Sequence, residues 1–209
     1  MLVLLFNMNY KTISYKKLNN LAHLELSNPP GNAMSMQFFD ELLDVCENEI
    51  VKEDYDGLII SSQGRHFSSG ADVKELLNVI KSSDKLVPEA MAKNLRAIEI
   101  LHMVRKPKVA ILKGVCYGSG FELALTANYR IAQNNTLIAL PEVTFGLMPG
   151  LGGVSALTNF VGEAKALEMI LSGESINAED ALRLGIVNII ADKEQLISVA
   201  VDFVWKNNN

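Results

Sequence analysis

Cysteine and histidine are both scarce: the 209 residues hold two of the first and three of the second. Two thiols exclude a disulfide scaffold, and Cys46 and Cys116 stand in helix-like and strand-like apolar surroundings that read as buried, reduced side chains of a reducing compartment. His23, His66 and His102 lack ligand spacing, and no Ser/His/Asp order matches a nucleophile motif, so neither a metal site nor serine-hydrolase chemistry is expected. An excess of positive charge is also missing. The formal charge of -5 argues against a surface that attracts nucleic acid or anionic lipid as a whole. Lys93, Arg96, Arg105, Lys106 and Lys108 make a basic stretch, but Glu89 and Glu99 interrupt it and no stacking aromatic lies among them, so no nucleic-acid partner is expected. The opening MLVLLFNMNYK is apolar, yet no basic segment precedes it and no small-residue cleavage site follows it. It reads as neither a secretory signal nor a membrane span; residues 1–9 are expected to be a tail and the protein cytoplasmic, without a membrane partner. Fixed repeats, low-complexity tracts and linkers are absent too, which leaves one domain over 10–209 with enough apolar residues to bury a core.

What is present is an alternation of strand-like and helix-like segments. LAHLELS (21–27) alternates like a half-buried strand and NPPGNAMS ends it. MQFFDELLDVCENEI shows apolar residues at helical spacing, GLIISSQ reads as a second strand, and VKELLNVIKSS as a second helix. A longer helix is predicted from Pro88 to before Pro107, followed by the apolar strand KVAILKGVC. ANYRIAQNNTLIAL reads as short strands around an Asn-Asn turn, and PEVTFGLMPGLGGVSALTNFVG as a Gly-rich loop feeding a helix. GEAKALEMILSG, NAEDALRLG and KEQLISVAVDFVWK are predicted helices, two of them stopped by Gly173 and Gly185, so 160–209 is mostly helical. The fold class is α/β.

Two strand-to-helix turns are built from small residues, HFSSGAD and YGSGFE. Such a turn offers unpaired backbone N–H groups with the positive end of the helix dipole behind them, so it stabilises negative charge. Two such turns brought together by the fold could grip one carbonyl oxygen and stabilise an enolate, although either alone is an ordinary close-packed turn more often than not. Glu122 lies in the first turn of an otherwise apolar helix pattern, and Glu142 is embedded between an apolar run and a Gly/Pro loop. Either reads blandly as a helix-end charge, but two half-buried acids facing one cavity could shift each other's proton affinity and take opposite protonation states. GLMPGLGG lacks the lysine and hydroxyl of a phosphate-binding P-loop.

In HFSSGADVKEL, GVCYGSGFELALTANYRIA, LPEVTFGLMPGLGG and LSGESINAEDALRLGIVN, four blocks in order over about residues 10–190, the sequence resembles the enoyl-CoA hydratase/isomerase (crotonase) family. The resemblance implies a crotonase-like β-β-α superhelix and an acyl-CoA thioester substrate. It assigns the oxyanion-hole N–H groups to Ala71 and Ser119, and the water-handling acids to Glu122 and Glu142. By that likeness Glu122 orients and deprotonates the water, Glu142 exchanges the proton beside the thioester, and the reaction is reversible syn addition of water to a trans-2-enoyl-CoA. No cofactor is implied, coenzyme A being part of the substrate, and the assembly implied is a homotrimer or hexamer. Lys74 is a candidate for the CoA phosphates, and Ser69, Gly70, Asp72, Gly118, Pro141 and Gly150 are near-site candidates.

Three departures stand out. Ser119 replaces a common glycine, Asn128 stands where aspartate is frequent, and the chain stops at FVWKNNN, where relatives usually continue into further helices over the acyl pocket; the helical C-terminal part is therefore expected to be shortened. Rival readings are a crotonase-type isomerase, a dehydratase acting on an acyl-CoA or carrier-protein thioester, and a catalytically quiet subunit of a mixed oligomer. Acyl chain length is expected to depend partly on the NVIKSSDKLVPEAM region.

Overall fold

The computed structural model describes residues 10–82 and 89–208. The expected tail, Pro88 at the predicted helix start and the middle of NVIKSSDKLVPEAM lie outside the described residues. In chain order the elements are β1 Ile13–Leu18, β2 Leu21–Leu26, α1 Met36–Asn48, β3 Gly57–Ser62, α2 Val73–Ser82 and α3 Glu89–Met103. They continue with β4 Lys108–Leu112, β5 Val115–Tyr117, α4 Ser119–Leu125, β6 Tyr129–Ala132 and β7 Leu137–Ala139. After a 3-10 turn at Pro141–Phe145 come α5 Gly153–Val161, α6 Glu163–Ser172, β8 Ile176–Asn177, α7 Ala178–Arg183, β9 Ile189–Ile190 and α8 Leu196–Asn207.

Six strands form one sheet in the order β1-β2-β3-β4-β6-β9, antiparallel at β1-β2 and parallel beyond it; β5, β7 and β8 form a second, smaller sheet. β3 is buried along its whole length, as a central parallel strand covered on both faces must be. Its side chains divide by the two-residue period of a strand. Leu58 and Ile60 join Leu24, Leu112, Phe38 and Leu42 in the larger core, whereas Ile59 joins Val109, Ile111 and Ile131 against Leu196, Ala200 and Val204 of α8. Gly57 lets α8 approach, since a Cβ there would sit 2.4 Å from Val204 Cγ1.

Three features differ from the sequence pattern. The pattern does not single out β1, because Lys16 and Lys17 break its apolar alternation; the strand pairs with β2 through a two-residue turn in which Asn19 and Asn20 have φ of 49° and 64°, as a tight hairpin turn requires. KVAILKGVC is two strands, since the chain leaves the large sheet after Leu112 and enters the small one at Val115. The Asn134-Asn135 turn likewise joins strands of different sheets, β6 and β7. Both cysteines are buried and unpaired. Among the described residues no helix is long and apolar enough to cross a membrane.

Candidate active site

The two small-residue turns lie side by side. Ser68 and Cys116 pair as a parallel bridge, Ser68 N–H donates to Val115 O at 3.1 Å, and Tyr117 N–H donates to Ser68 O at 3.0 Å. At each turn the glycine's own N–H is used internally: Gly70 N–H donates to Ser68 Oγ at 3.1 Å and Gly118 N–H to Ala139 O at 3.0 Å. The next residue in each case, Ala71 or Ser119, has an N–H with no acceptor among the described residues. Ser119 is the first residue of α4, where an N–H has no partner within the helix. The turns are also in contact, because a Cβ built on Gly118 would lie 3.8 Å from Gly70 Cα.

This geometry accounts for the serine at 119. The glycine-only backbone conformation, φ 52° and ψ -128°, falls on Gly118, while Ser119 is already helical. Asn128 is explained as well: its Oδ1 accepts the Lys108 N–H at 2.9 Å at the head of β4, a contact that needs an acceptor and no charge.

Glu122 is 2% exposed at the inner face of α4. Its Oε1 accepts the N–H groups of Leu151 and Gly153, both at 2.8 Å, from the loop and first turn of α5. Glycine at 153 makes room for this carboxylate, since a Cβ there would come within 2.8 Å of Glu122 Cγ and Oε1 and displace it. Burial raises the Glu122 pKa to about 7; the N–H groups of Gly153, Leu151 and Gly150 oppose the shift, and the charge of Glu142 reinforces it. Glu142, on the 3-10 turn, is half-buried, and burial raises its pKa too. Its Oε2 is buried without a partner among the described residues, and its Oε1 lies 2.8 Å from where a Gly118 Cβ would be.

One cavity is lined by both acids, by Ser69, Gly70 and Ala71, by Gly118 and Ser119, and by Pro141 and Gly150. Its remaining wall is mostly apolar, with Phe39, Leu76, Met91, Phe145, Leu147 and Met148 among its residues. Two sequence candidates stand outside it. The Asp72 carboxylate caps α2, its Oδ1 accepting the N–H groups of Lys74 and Glu75 at 3.1 Å. Lys74 is exposed on that helix, and among the described residues no lysine or arginine lines the cavity. One lining residue carries no signal in the sequence: Asn94 of α3, which a pattern reading treats as an ordinary polar helix position. The basic stretch is not a free patch, for Lys93 pairs with Asp40 at 3.1 Å and Lys108 is buried with its Nζ on Val104 O at 2.7 Å. His66 Nδ1 accepts the Val115 N–H at 3.1 Å and so braces the strand before the second turn.

The raised proton affinity of Glu122 makes a stability prediction. The unfolded chain ionises this carboxyl at its ordinary value of 4.5, whereas the folded protein holds the proton until about 7. The folded state therefore loses stability as pH rises from about 4.5 to 7, and no further above that. Glu122→Gln keeps an acceptor for both N–H groups without the buried charge. It is expected to exceed the natural protein in urea-unfolding stability by on the order of 2–3 kcal/mol near pH 8, with the gap closing as pH falls toward the ordinary carboxylate value.

The same architecture and sequence recur in known proteins. The profile described as Enoyl-CoA hydratase/isomerase matches residues 16–208. A Bacillus subtilis protein described as a "Probable enoyl-CoA hydratase" is 38% identical over 177 residues, covering 83% of this chain and 67% of its own length. The "Peroxisomal bifunctional enzyme" of Danio rerio is 33% identical over 187 residues, 90% of this chain; the chain spans only 25% of that larger protein. Among solved structures, enoyl-CoA hydratase from Thermoplasma volcanium superposes with a TM-score of 0.83 at 30% identity, over 94% of this chain and 78% of that one. With its two zipped turns, its paired acids and these likenesses together, the chain belongs to the enoyl-CoA hydratase/isomerase family and has the crotonase fold.

Proposed function

We propose that the protein is a hydro-lyase that adds water reversibly to a trans-2-enoyl thioester of coenzyme A. What carries the reading is one juxtaposition: a buried and a half-buried acid, both of raised proton affinity, line the same cavity as two adjoining turns, each with an N–H unpaired among the described residues. The N–H groups of Ala71 and Ser119 donate to the thioester oxygen, which draws electron density from the β carbon and stabilises the enolate that forms. Glu122, ionised, takes a proton from water as the oxygen bonds to the β carbon; Glu142, protonated, delivers its proton to the α carbon. Water is consumed, the double bond is lost, and one proton moves from Glu122 back to Glu142 before the next cycle. A base with a pKa near the working pH suits this exchange, and the wall of apolar side chains suits an acyl chain.

The presence of both acids favours hydration over double-bond isomerisation, which needs a single acid to carry a proton between two carbons. The test is loss of enoyl absorbance from crotonyl-CoA with the purified protein alone and identification of 3-hydroxybutyryl-CoA as product. The acid limb of kcat/KM is expected near pH 7, activity falling below it as Glu122 becomes protonated. A shifted double bond in the product would favour the isomerase. Turnover only of a carrier-protein thioester would favour the dehydratase, and no turnover of any thioester would favour the quiet subunit.

A further inference from the structure

The polar groups of the cavity come from two sources. Ser69 and Ser119 belong to the two turns, and Glu122 and Glu142 lie against them, so all four serve the reacting end. Asn94 comes from elsewhere, from α3, and lines the same cavity as the apolar Phe39, Leu76 and Met91. It is 7% exposed, and its Oδ1 is buried with no hydrogen-bond partner among the described residues. A buried amide oxygen without a partner is unfavourable, and a plain hydrocarbon chain filling this cavity would leave it without a bond. A leucine would fill the position in an acyl pocket built for alkyl chains alone.

We infer that Asn94 is a specificity-determining residue that selects an enoyl thioester with a hydroxyl group on its acyl chain, the hydroxyl pairing with the buried amide. The inference rests on the enoyl-thioester reading above. A hydroxyl fits this role because it donates and accepts at once, so it satisfies the side chain whichever end of the amide faces the cavity. A site built to bond a substrate hydroxyl rejects the methyl analogue strongly, since the wrong substrate leaves the buried group unpaired.

The experiment pairs 4-hydroxybutenoyl-, 5-hydroxypentenoyl- and 6-hydroxyhexenoyl-CoA with 2-enoyl-CoAs in which a methyl replaces the hydroxyl. Both turnover and calorimetric binding of the saturated counterparts are measured. At one chain length the hydroxyl member is expected to exceed its methyl isostere by about tenfold or more in kcat/KM and in affinity. Asn94→Leu is expected to invert that ratio. It is also expected to keep or raise Tm, because the amide oxygen makes no hydrogen bond that the substitution would remove. Methyl isosteres bound and turned over as well as the hydroxyl members at every length would overturn the inference and leave the hydratase reading standing. The hydroxyl preference in binding, without turnover of any thioester, would do the reverse. A lower Tm for Asn94→Leu with an unaltered ratio would make Asn94 a structural residue and also overturn it.

Discussion

Replacing Glu122 or Glu142 by glutamine is expected to cut hydration of crotonyl-CoA by about 10²- to 10⁴-fold each, the range of a lost general acid or base. The amide preserves what each carboxylate does for the fold: in Glu122→Gln the side-chain oxygen can still accept from Leu151 and Gly153, and the cavity keeps its shape. What is removed is the capacity to take or give a proton. The double variant is expected to be little worse than either single one, because in the proposed reaction the two acids serve the same addition and their effects do not add. The measurement is the initial rate of enoyl loss over a range of pH for the four proteins. Equal rates in all four would remove both acids from the chemistry, whereas a defect confined to Glu142→Gln would return the isomerase to first place.

Gly118→Ala is expected to lower kcat by about 10²- to 10³-fold, the usual cost of one lost oxyanion donor. The substitution strains a backbone at φ 52° and ψ -128°, and it also drives a methyl to within 2.8 Å of Glu142 Oε1. The chain can relieve both only by turning the peptide that carries the Ser119 N–H or by moving the acid. Gly185→Ala is the control, since Gly185 has φ 72°, with nothing within 4 Å of an added Cβ, and ends α7 away from the cavity. It also puts an alanine at positive φ, so its Tm should fall while its kcat is retained. A similar loss of activity in both variants would assign the effect to general destabilisation.

Much of the candidate site's geometry was legible in the chain because it is made of local grammar. Strand, small residues, helix is a pattern that Gly70 and Gly118 announce, and an acid such as Glu122 in an apolar helix is conspicuous against its neighbours. Other parts were illegible for physical reasons. β5, β7 and β8 are two or three residues long, too short for an alternation to declare itself, and their separate sheet is set by tertiary packing. Asp72 and Lys74 follow the first turn in sequence, but a side chain at the very start of a helix caps it, as Asp72 does, or points to solvent, as Lys74 does. Asn94 gave no signal at all, because an amide on a helix with lysine and arginine neighbours looks like surface until α3 is docked.

The bridge between Ser68 and Cys116 reaches beyond shape. Had the paired amides sat on independent, wandering segments, each arriving thioester would have to arrest both before its oxygen could be held. Here the polypeptide settles that alignment once, on folding, so that in the proposed reaction each thioester would meet a socket already cut to receive it.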